Sequence, residues 1–192
     1  MPDVSAGPPP LLAIVGPSGS GKSSLVRDLA RRGEVQVIAT FTTRPRRPDE
    51  PRDCPDHRFV TEKEFAEFAQ SGAFLATGGL PGLPYRYGLP KLCRRTGPMP
   101  AIVLRAFVAS ELARLVPRLL VYQIEDRPER IYPRLVERGT QGPEIRARIA
   151  SRDFEISLGR RVCHRFFTNQ TSLEVLVGAV SRAIEMDTTR PR

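Results

Sequence analysis

Cysteine and histidine are scarce in this chain of 192 residues, which has three and two of them, and tryptophan is absent. The cysteines, Cys54, Cys93 and Cys163, lie far apart without any CxxC pair. This spacing argues against a disulfide framework and against a zinc site, so we expect free thiols. No apolar run approaches the roughly 18 residues of a membrane helix, and we expect no segment that spans a bilayer.

The first ten residues, MPDVSAGPPP, lack the positive charge and the long apolar stretch of a secretory signal. We therefore expect a cytoplasmic protein. A formal charge of +9 fits an acidic partner such as nucleic acid, but it also fits arginines gathered around bound phosphates. Because the basic residues are scattered and lack the interleaved aromatics that stack bases, nucleic-acid binding is disfavoured.

Strand-like and helix-like patterns alternate along the chain, and its length favours one domain. This alternation predicts an α/β fold in which helices flank a parallel sheet. Helices are predicted from Lys22, around 109–116, over Pro128–Glu137, from 143 and over 172–186. The predicted strands are Leu11–Val15, 35–41, 101–104, 119–124 and Arg165–Thr168.

The middle of the chain departs from this alternation. Residues 42–56 are so rich in proline and charge that we expect an exposed, functional loop. Thr61 and Glu64 form a capping-box pattern for a helix that ends at Gly72. Residues 76–90 carry many Gly and Pro residues, which indicates turns and short edge strands in a lid or binding insert. We expect residues 1–9 to form a loose arm and residues 187–192 to be frayed.

A phosphate-binding P-loop is the most specific motif. GPSGSGKS fits GxxxxGK[ST] between a predicted strand and a predicted helix. The glycines let backbone N–H groups point inward, Lys22 reaches the outer phosphates of ATP, and the Ser23 hydroxyl is the candidate magnesium ligand. The predicted ATP-binding residues in this region are Gly16, Ser18, Gly19, Ser20, Gly21, Lys22, Ser23 and Ser24.

From Leu11 to Ile184, the sequence resembles the guanylate kinase family. The segments that carry the resemblance are GPSGSGKSSL, TTRPRRPDE with DHRFVTEKEF, YRYG, RLVERGTQGPEIRARI and TNQTSLEVLV. The resemblance implies a P-loop nucleoside monophosphate kinase fold, with ATP and Mg²⁺ as donor and cofactor. It implies a core of about 10–40 and 100–186, an acceptor-binding insert of about 41–95 and a lid of about 134–150. We expect a monomer or a homodimer.

The resemblance also implies roles on the acceptor side. Arg44, Arg47 and Tyr87 match the residues that clamp the acceptor's phosphate, and guanidinium forks suit phosphate oxygens. His57 stands where the family has another phosphate-contacting residue, but it also fits an exposed loop. Thr40 matches the hydroxyl residue of the guanine reader.

Further roles concern the donor. Arg138 and Arg148 match lid arginines that reach the transferred phosphoryl group, and with Lys22 they are the predicted catalytic residues. Arg134 is a weaker candidate of the same kind. Asn169 matches a position near the adenine of ATP, although it also fits a turn residue.

The two carboxylates that read guanine in the family are missing here. Ala76 and Leu104 stand at their positions, and neither can accept from guanine N1–H, so GMP is not the expected acceptor. The segment AIVLRAF also lacks an acid that supports magnesium, and Asp126, with Glu129 three residues on, reads as a helix cap.

These departures leave several functions open. We expect a kinase of a small phosphorylated acceptor, either a nucleoside monophosphate, including a modified one, or a related sugar phosphate. Ribose 1,5-bisphosphate kinases also resemble this chain, since they share the P-loop and an ERG-type lid and lack the guanine reader. A nucleotide- or phosphopeptide-binding module and a triphosphate-dependent regulator are the alternatives of another class. Lys22 and Ser23 favour the kinase, because a pure binding module has no need of them.

Overall fold

The computed structural model describes residues 10–48, 50–79, 83–91 and 97–189. Within them, strands and helices alternate as an α/β fold requires. In chain order the elements are β1 (Leu11–Val15), α1 (Lys22–Arg31), β2 (Val35–Ile38), β3 (Thr40–Thr42), β4 (His57–Phe59), α2 (Glu62–Gln70), β5 (Phe74–Gly79), β6 (Arg86–Pro90), β7 (Met99–Val103), α3 (Ala106–Leu115), β8 (Leu119–Glu125), α4 (Pro128–Glu137), α5 (Gly142–Ala150), α6 (Arg152–Arg160), β9 (Arg165–Thr168) and α7 (Leu173–Thr189).

A parallel five-stranded sheet in the order β2-β7-β1-β8-β9 forms the core. Its central strand β1 is buried on both faces, because successive side chains point to opposite sides of a strand. Leu12 and Ile14 pack in the same cluster as residues of α1 and α7, whereas Leu11, Ala13 and Val15 pack with residues of α3. An apolar run without alternation is therefore the expected sequence of this strand.

A second, four-stranded sheet in the order β4-β3-β6-β5 is formed by strands between residues 40 and 90. We call it the insert sheet. The predicted strand over 35–41 is wrong in one respect, because the chain leaves the core sheet at Ala39 and continues into the insert sheet. β2 pairs with β7, whereas β3 pairs with β4 and β6. A continuous β-type pattern carries no signal for this change of partner.

The remaining predictions of elements agree with the structure, with three corrections. Residues 76–90 were predicted to form edge strands, but β6 pairs with both β3 and β5 and lies inside the insert sheet. The helix from 143 is two helices, α5 and α6, which meet at Ser151. The C-terminal segment is helical as far as Thr189, and Asp187 accepts hydrogen bonds from Arg165 and Tyr122, so its first residues are ordered rather than frayed. The predicted arm over 1–9, Cys93 and residues 190–192 lie outside the described residues; Cys54 and Cys163 are free thiols.

Two further predictions concern the helix of the insert and the membrane. Thr61 and Glu64 complete the capping box of α2, as predicted, and Gly72 follows the helix with a φ of +67°. In the described part of the chain, no helix has the length and apolar character needed to cross a bilayer.

Candidate active site

The P-loop connects β1 to α1 at the carboxyl edge of the core sheet, where parallel sheets bind their ligands. Two glycines are required there. Gly16 has a φ of +136°, and a Cβ on it would lie 2.1 Å from the carbonyl oxygen of Ile124. Gly21 has a φ of +99° at the N-cap of α1, and a Cβ on it would lie 2.5 Å from Asn169 Nδ2. The loop can therefore pack against β8 and the β9–α7 connection only with glycine at these positions.

Lys22 is folded back onto this loop. Its Nζ donates hydrogen bonds of 2.7 Å to the carbonyl oxygens of Gly16 and Pro17. Burial, together with the nearby charge of Arg105, lowers the pKa of Lys22 to about 7. Phosphates bound beside this amine would favour its charged form.

Side chains from distant segments support the P-loop backbone. Asn169 is buried, and its Nδ2 donates to the carbonyl oxygen of Ser20 at 3.0 Å. Arg134 donates from Nη1 to the carbonyl oxygen of Gly19 at 3.0 Å and to Asp126 Oδ2 at 2.7 Å. The contact of Asn169 with adenine remains a prediction, since the structure places this side chain against the loop.

The helix-cap interpretation of Asp126 is wrong. Arg127 is the N-cap residue of α4, and no side chain caps this helix. The Asp126 carboxylate instead accepts from the Arg127 backbone N–H and from Arg134, about two turns further into α4. Asp126 therefore holds Arg134 against the P-loop, a contact that the capping pattern does not reveal.

A cavity lies between the P-loop, the insert sheet and the lid residues. It is open to solvent at its mouth. Of the predicted site residues, Gly16, Ser20, Ser24 and Asn169 do not line it. Those that line it are Ser18, Gly19, Gly21, Lys22, Ser23, Thr40, Arg44, Arg47, His57, Tyr87, Arg138 and Arg148.

Two of these arginines are fixed by one carboxylate. Arg44 donates to both oxygens of Glu50, at 2.7 and 2.5 Å, and Arg47 donates through its backbone N–H and its side chain. Burial opposes ionisation of Glu50, but the hydrogen bonds from Arg44 and Arg47 outweigh it and lower its pKa to about 2. Since Arg44 and Glu50 are buried, the expectation that all of residues 42–56 form an exposed loop is wrong.

His57 is also placed inside the cavity wall rather than in an exposed loop. Its Nδ1 lies 2.8 Å from the Thr40 hydroxyl, which is 3.2 Å from the carbonyl oxygen of Asp56. Burial lowers the pKa of His57 to about 4, although Asp56 opposes the shift. The imidazole is therefore neutral at pH 7, and its role toward a phosphate would be that of a neutral donor.

The lid side of the cavity carries Arg138 and Arg148. Arg148 is buried, and it donates from Nη1 to the Ser18 hydroxyl at 2.7 Å and from Nε to Glu144 at 3.0 Å. Arg138 is the C-cap residue of α4 and faces the same space. The structure therefore brings both predicted lid arginines to the P-loop.

Of the two positions at which the resemblance places the guanine-reading carboxylates, only one lines the cavity. Leu104 lines the cavity together with Leu89, Val103 and Val108. Ala76 packs in the apolar core behind β5 instead and does not line the cavity. The cavity wall is thus apolar at Leu104 and at Leu89, which follows the YRYG motif on β6.

Two site residues escaped the sequence interpretation. Arg105 lines the cavity and donates to Glu155 of α6 at 2.7 Å. Asp56 is fully buried and accepts from Arg27 and from the Cys54 thiol through Oδ1. Its Oδ2 lies 4.0 Å from His57 Nε2 and has no hydrogen-bond partner among the described residues. Arg105 could have been predicted as a site residue, because it directly follows an apolar core strand, where ligands of parallel sheets bind. Asp56 could not be distinguished from the other charged residues of its loop.

The chain is similar in sequence to several named proteins, although no protein-family model matches it. A guanylate kinase from Thermobifida fusca is 31% identical over 172 residues, covering 82% of this chain and 86% of that protein. A guanylate kinase from Gloeobacter violaceus is 32% identical over 181 residues, covering 91% and 86%. A bifunctional ribose 1,5-bisphosphokinase-thymidine phosphorylase from Cupriavidus pinatubonensis is 34% identical over 145 residues, which are 71% of this chain and 23% of that protein.

The fold also has a counterpart among solved structures. The crystal structure of guanylate kinase from Anaplasma phagocytophilum superimposes with a TM-score of 0.75 and covers 95% of this chain and 88% of its own. Its sequence identity is 17%, so this likeness concerns the fold alone. It agrees with the predicted α/β P-loop kinase fold.

Proposed function

The chain belongs to the guanylate kinase family, and on that basis we propose that it moves the terminal phosphoryl group of ATP to a small phosphorylated acceptor other than GMP. A phosphotransferase of the nucleoside monophosphate kinase type is what these relatives establish. The identity of the acceptor is the new part of the proposal, and it depends on the cavity.

The observation that carries the proposal is the composition of the cavity wall. Among the described residues that line it, none is a carboxylate, and Leu89, Leu104 and Val108 form an apolar surface. Guanine presents N1–H and an exocyclic amine, which need acceptors. Leaving such donors unpaired in a buried site costs roughly 1–3 kcal/mol for each group. GMP would therefore bind poorly.

The donor side carries the groups that phosphoryl transfer requires. Negative charge is concentrated between donor and acceptor in the transition state, and positioned cations stabilise it. We assign this role to Lys22, Arg138 and Arg148, which line the same cavity. Arg148 would exchange its contact with the Ser18 hydroxyl for a phosphoryl oxygen.

The residues around Ser23 fit a magnesium ion. The Ser23 hydroxyl lines the cavity and would hold the ion directly. Asp56 lies behind it with a buried, unpartnered Oδ2; burial opposes its ionisation, but His57, the Ser23 hydroxyl and Arg27 outweigh this and lower its pKa. An ionised carboxylate that accepts from Ser23 would orient the hydroxyl. When bound, magnesium neutralises charge on the outer phosphates.

The acceptor phosphate would bind between Arg44, Arg47 and Tyr87, which line one side of the cavity. Glu50 holds both guanidinium groups in fixed positions, so their remaining N–H groups are preorganised for phosphate oxygens. Thr40 and His57 lie beside this clamp and would contact the adjoining part of the acceptor.

Ribose 1,5-bisphosphate is a second candidate acceptor. A relative named as a ribose 1,5-bisphosphokinase matches 71% of this chain, and such an acceptor has no base for a carboxylate to bind.

The oligomeric state and the location of the protein remain predictions. We propose a monomer or a homodimer in the cytoplasm.

A panel of acceptors tests the proposal. Release of ADP from ATP and Mg²⁺ would be measured with GMP, dGMP, AMP, pyrimidine monophosphates and ribose 1,5-bisphosphate, with Lys22→Ala as the control. We expect ADP release with at least one acceptor other than GMP and none in the control. Efficient turnover of GMP would contradict the proposal. ATP binding without turnover of any acceptor would favour a nucleotide-binding module.

A further inference from the structure

Arg105 lies where the core sheet meets the acceptor cavity. It follows β7, and β7 pairs with β1, the strand that leads into the P-loop. Its side chain is buried and lines the cavity beside Leu104. The residues proposed above to bind the donor phosphates and the first acceptor phosphate do not include Arg105. A buried cation in a binding cavity requires an explanation, because desolvation of its charge is unfavourable.

Two neighbours fix the guanidinium of Arg105. Its Nη1 donates to Oε1 of Glu155 at 2.7 Å, and Glu155 is itself almost fully buried on α6. Its Cζ lies 5.6 Å from the centroid of the Tyr87 ring, on the acceptor clamp. A guanidinium has five N–H donors, so these two contacts leave donors for a ligand. The side chain is therefore held in one orientation between the clamp and the P-loop.

The charges around the cavity exceed what one acceptor phosphate needs. Its lining contains six basic side chains and no carboxylate among the described residues. Lys22, Arg138 and Arg148 suffice for the transferred phosphoryl group, and Arg44 and Arg47 suffice for one acceptor phosphate. Glu50, Glu144 and Glu155 lie behind these cations as partners and do not line the cavity. Arg105 is the basic residue that this allocation leaves over.

From this arrangement we infer that Arg105 binds a second anionic group of the acceptor. The acceptor would then be a small sugar-like molecule that carries two phosphate groups and no base. Its carbon skeleton would lie against Leu89, Leu104 and Val108. The inference rests on the proposed kinase function, since it concerns the acceptor of that same reaction.

An alternative ligand for Arg105 is a purine. Arginine pairs bidentately with guanine O6 and N7. In this cavity, however, a guanine held in that way would still need acceptors for N1–H and its amine, and the neighbouring side chains Leu89, Leu104 and Val108 provide none. Two phosphates satisfy both the clamp and Arg105, so the bisphosphate is favoured.

Two sugar phosphates that differ by one phosphate group can be compared to measure how much Arg105 contributes to acceptor binding. Ribose 1,5-bisphosphate and ribose 5-phosphate would be titrated calorimetrically into the full chain with ADP and Mg²⁺ present, so that the donor side is already occupied. We expect the wild type to bind the bisphosphate about 30-fold more tightly, which is the order of one charge-assisted contact. In Arg105→Gln we expect this preference to fall to about 3-fold or less.

Two further variants separate recognition from folding. Arg105→Met combined with Glu155→Leu replaces the buried ion pair by apolar side chains, which commonly preserves stability; we expect it to keep its melting temperature and lose the preference. Arg160→Gln is the matched control, because Arg160 forms a similar pair with Glu125, at 2.6 Å, outside the cavity. We expect its preference to equal that of the wild type.

Several results would overturn the inference. Equal affinities of the wild type for the two sugar phosphates would do so, and so would an unchanged preference in both Arg105 variants. GMP binding that is tight and depends on Arg105 would assign this residue to a base instead. ADP release is recorded separately with ATP: an Arg105-dependent preference without turnover would uphold the inference and contradict the kinase function.

Discussion

The donor side and the acceptor side of the cavity are built in different ways. On the proposed donor side, the phosphate cradle is a continuous stretch from Gly16 to Ser23. Its shape depends on backbone conformation and on two glycines that pack against β8 and the β9–α7 connection. The acceptor side is assembled from the loop after β3, from β4, from β6 and from the end of β7. Its arginines take their orientation from carboxylates elsewhere, such as Glu50 and Glu155.

This difference explains why the P-loop side indicates the type of reaction, whereas the opposite side determines which substrate fits. A backbone cradle binds the phosphates of any nucleoside triphosphate, because N–H groups and a helix N-terminus recognise charge alone. Side chains on separate elements can change one at a time, and each change alters the ligand that fits. Leu104 and Arg105 both lie on this second side.

The largest expected effect is a loss of activity that is the same for every acceptor, because the change lies on the donor side. Lys22→Ala removes the amine that reaches the outer phosphates, and we expect kcat to fall at least about 1,000-fold, in the range of losses for electrostatic catalytic groups. ADP release with each active acceptor would measure it. The melting temperature should stay within a few degrees, since Lys22 contacts only carbonyl oxygens of its own loop. A loss confined to one acceptor would contradict the comparison.

The next effect should be confined to the acceptor side. Glu50→Gln removes the charge that holds Arg44 and Arg47, and breaking such a buried network typically destabilises a protein by about 3–5 kcal/mol. We expect kcat/KM for the acceptor to fall about 300-fold, equivalent to about 3.4 kcal/mol, while the KM for ATP changes less than about 3-fold. Steady-state kinetics with each substrate varied would measure both.

Glu62→Gln is the control for this variant. Glu62 is exposed and lies 3.8 Å from Arg86, outside the cavity. A pair of this kind contributes about 0–1 kcal/mol, so neither kinetic constant should change measurably. Equal losses for ATP and acceptor in Glu50→Gln would show that Glu50 supports the whole domain rather than one side.

The same division separates what the sequence could predict from what it could not. The P-loop, β1, α1 and the capping box of α2 follow from local patterns, because their determinants lie within a few residues of one another. The change from β2 to β3 at Ala39, the support of the P-loop by Asp126 and Arg134, and the placement of Arg105 depend on contacts between distant segments. The spacing of residues in a single sequence does not show which distant segments come into contact.

A smaller effect concerns His57, which links Thr40 to the cavity wall. Its pKa is about 4 in the folded protein, below the ordinary 6.5, because of burial. Between these two values the unfolded chain binds more protons, so the free energy of unfolding falls as the pH is lowered from 6.5 to 4. One pKa unit corresponds to about 1.4 kcal/mol, and partial titration at both ends leaves about 2 kcal/mol of pH-dependent stability.

Urea denaturation at pH 7 and at pH 4.5 would measure this loss. In His57→Gln the contribution is absent, so the variant should lose about 2 kcal/mol less than the wild type over the same range. Glu50 does not interfere, because its pKa of about 2 places its loss of stability below pH 4.5. An identical pH dependence in both proteins would show that His57 is accessible to protons in the folded state.

The smallest predicted effect tests whether the donor side depends only on its own segment. Asn169 donates to the carbonyl oxygen of Ser20, and removing one such hydrogen bond is worth about 1 kcal/mol. Asn169→Ala should therefore raise the KM for ATP about 5-fold and leave the acceptor's KM unchanged. Gln170→Ala, an exposed neighbour, is the control. If both substrates lost affinity equally, the P-loop would be coupled to the acceptor clamp through this connection, and the two sides could not be treated as separable. If only ATP binding weakened, the motif would still need one distant side chain to hold its shape, because its backbone conformation alone does not fix the loop against β9 and α7.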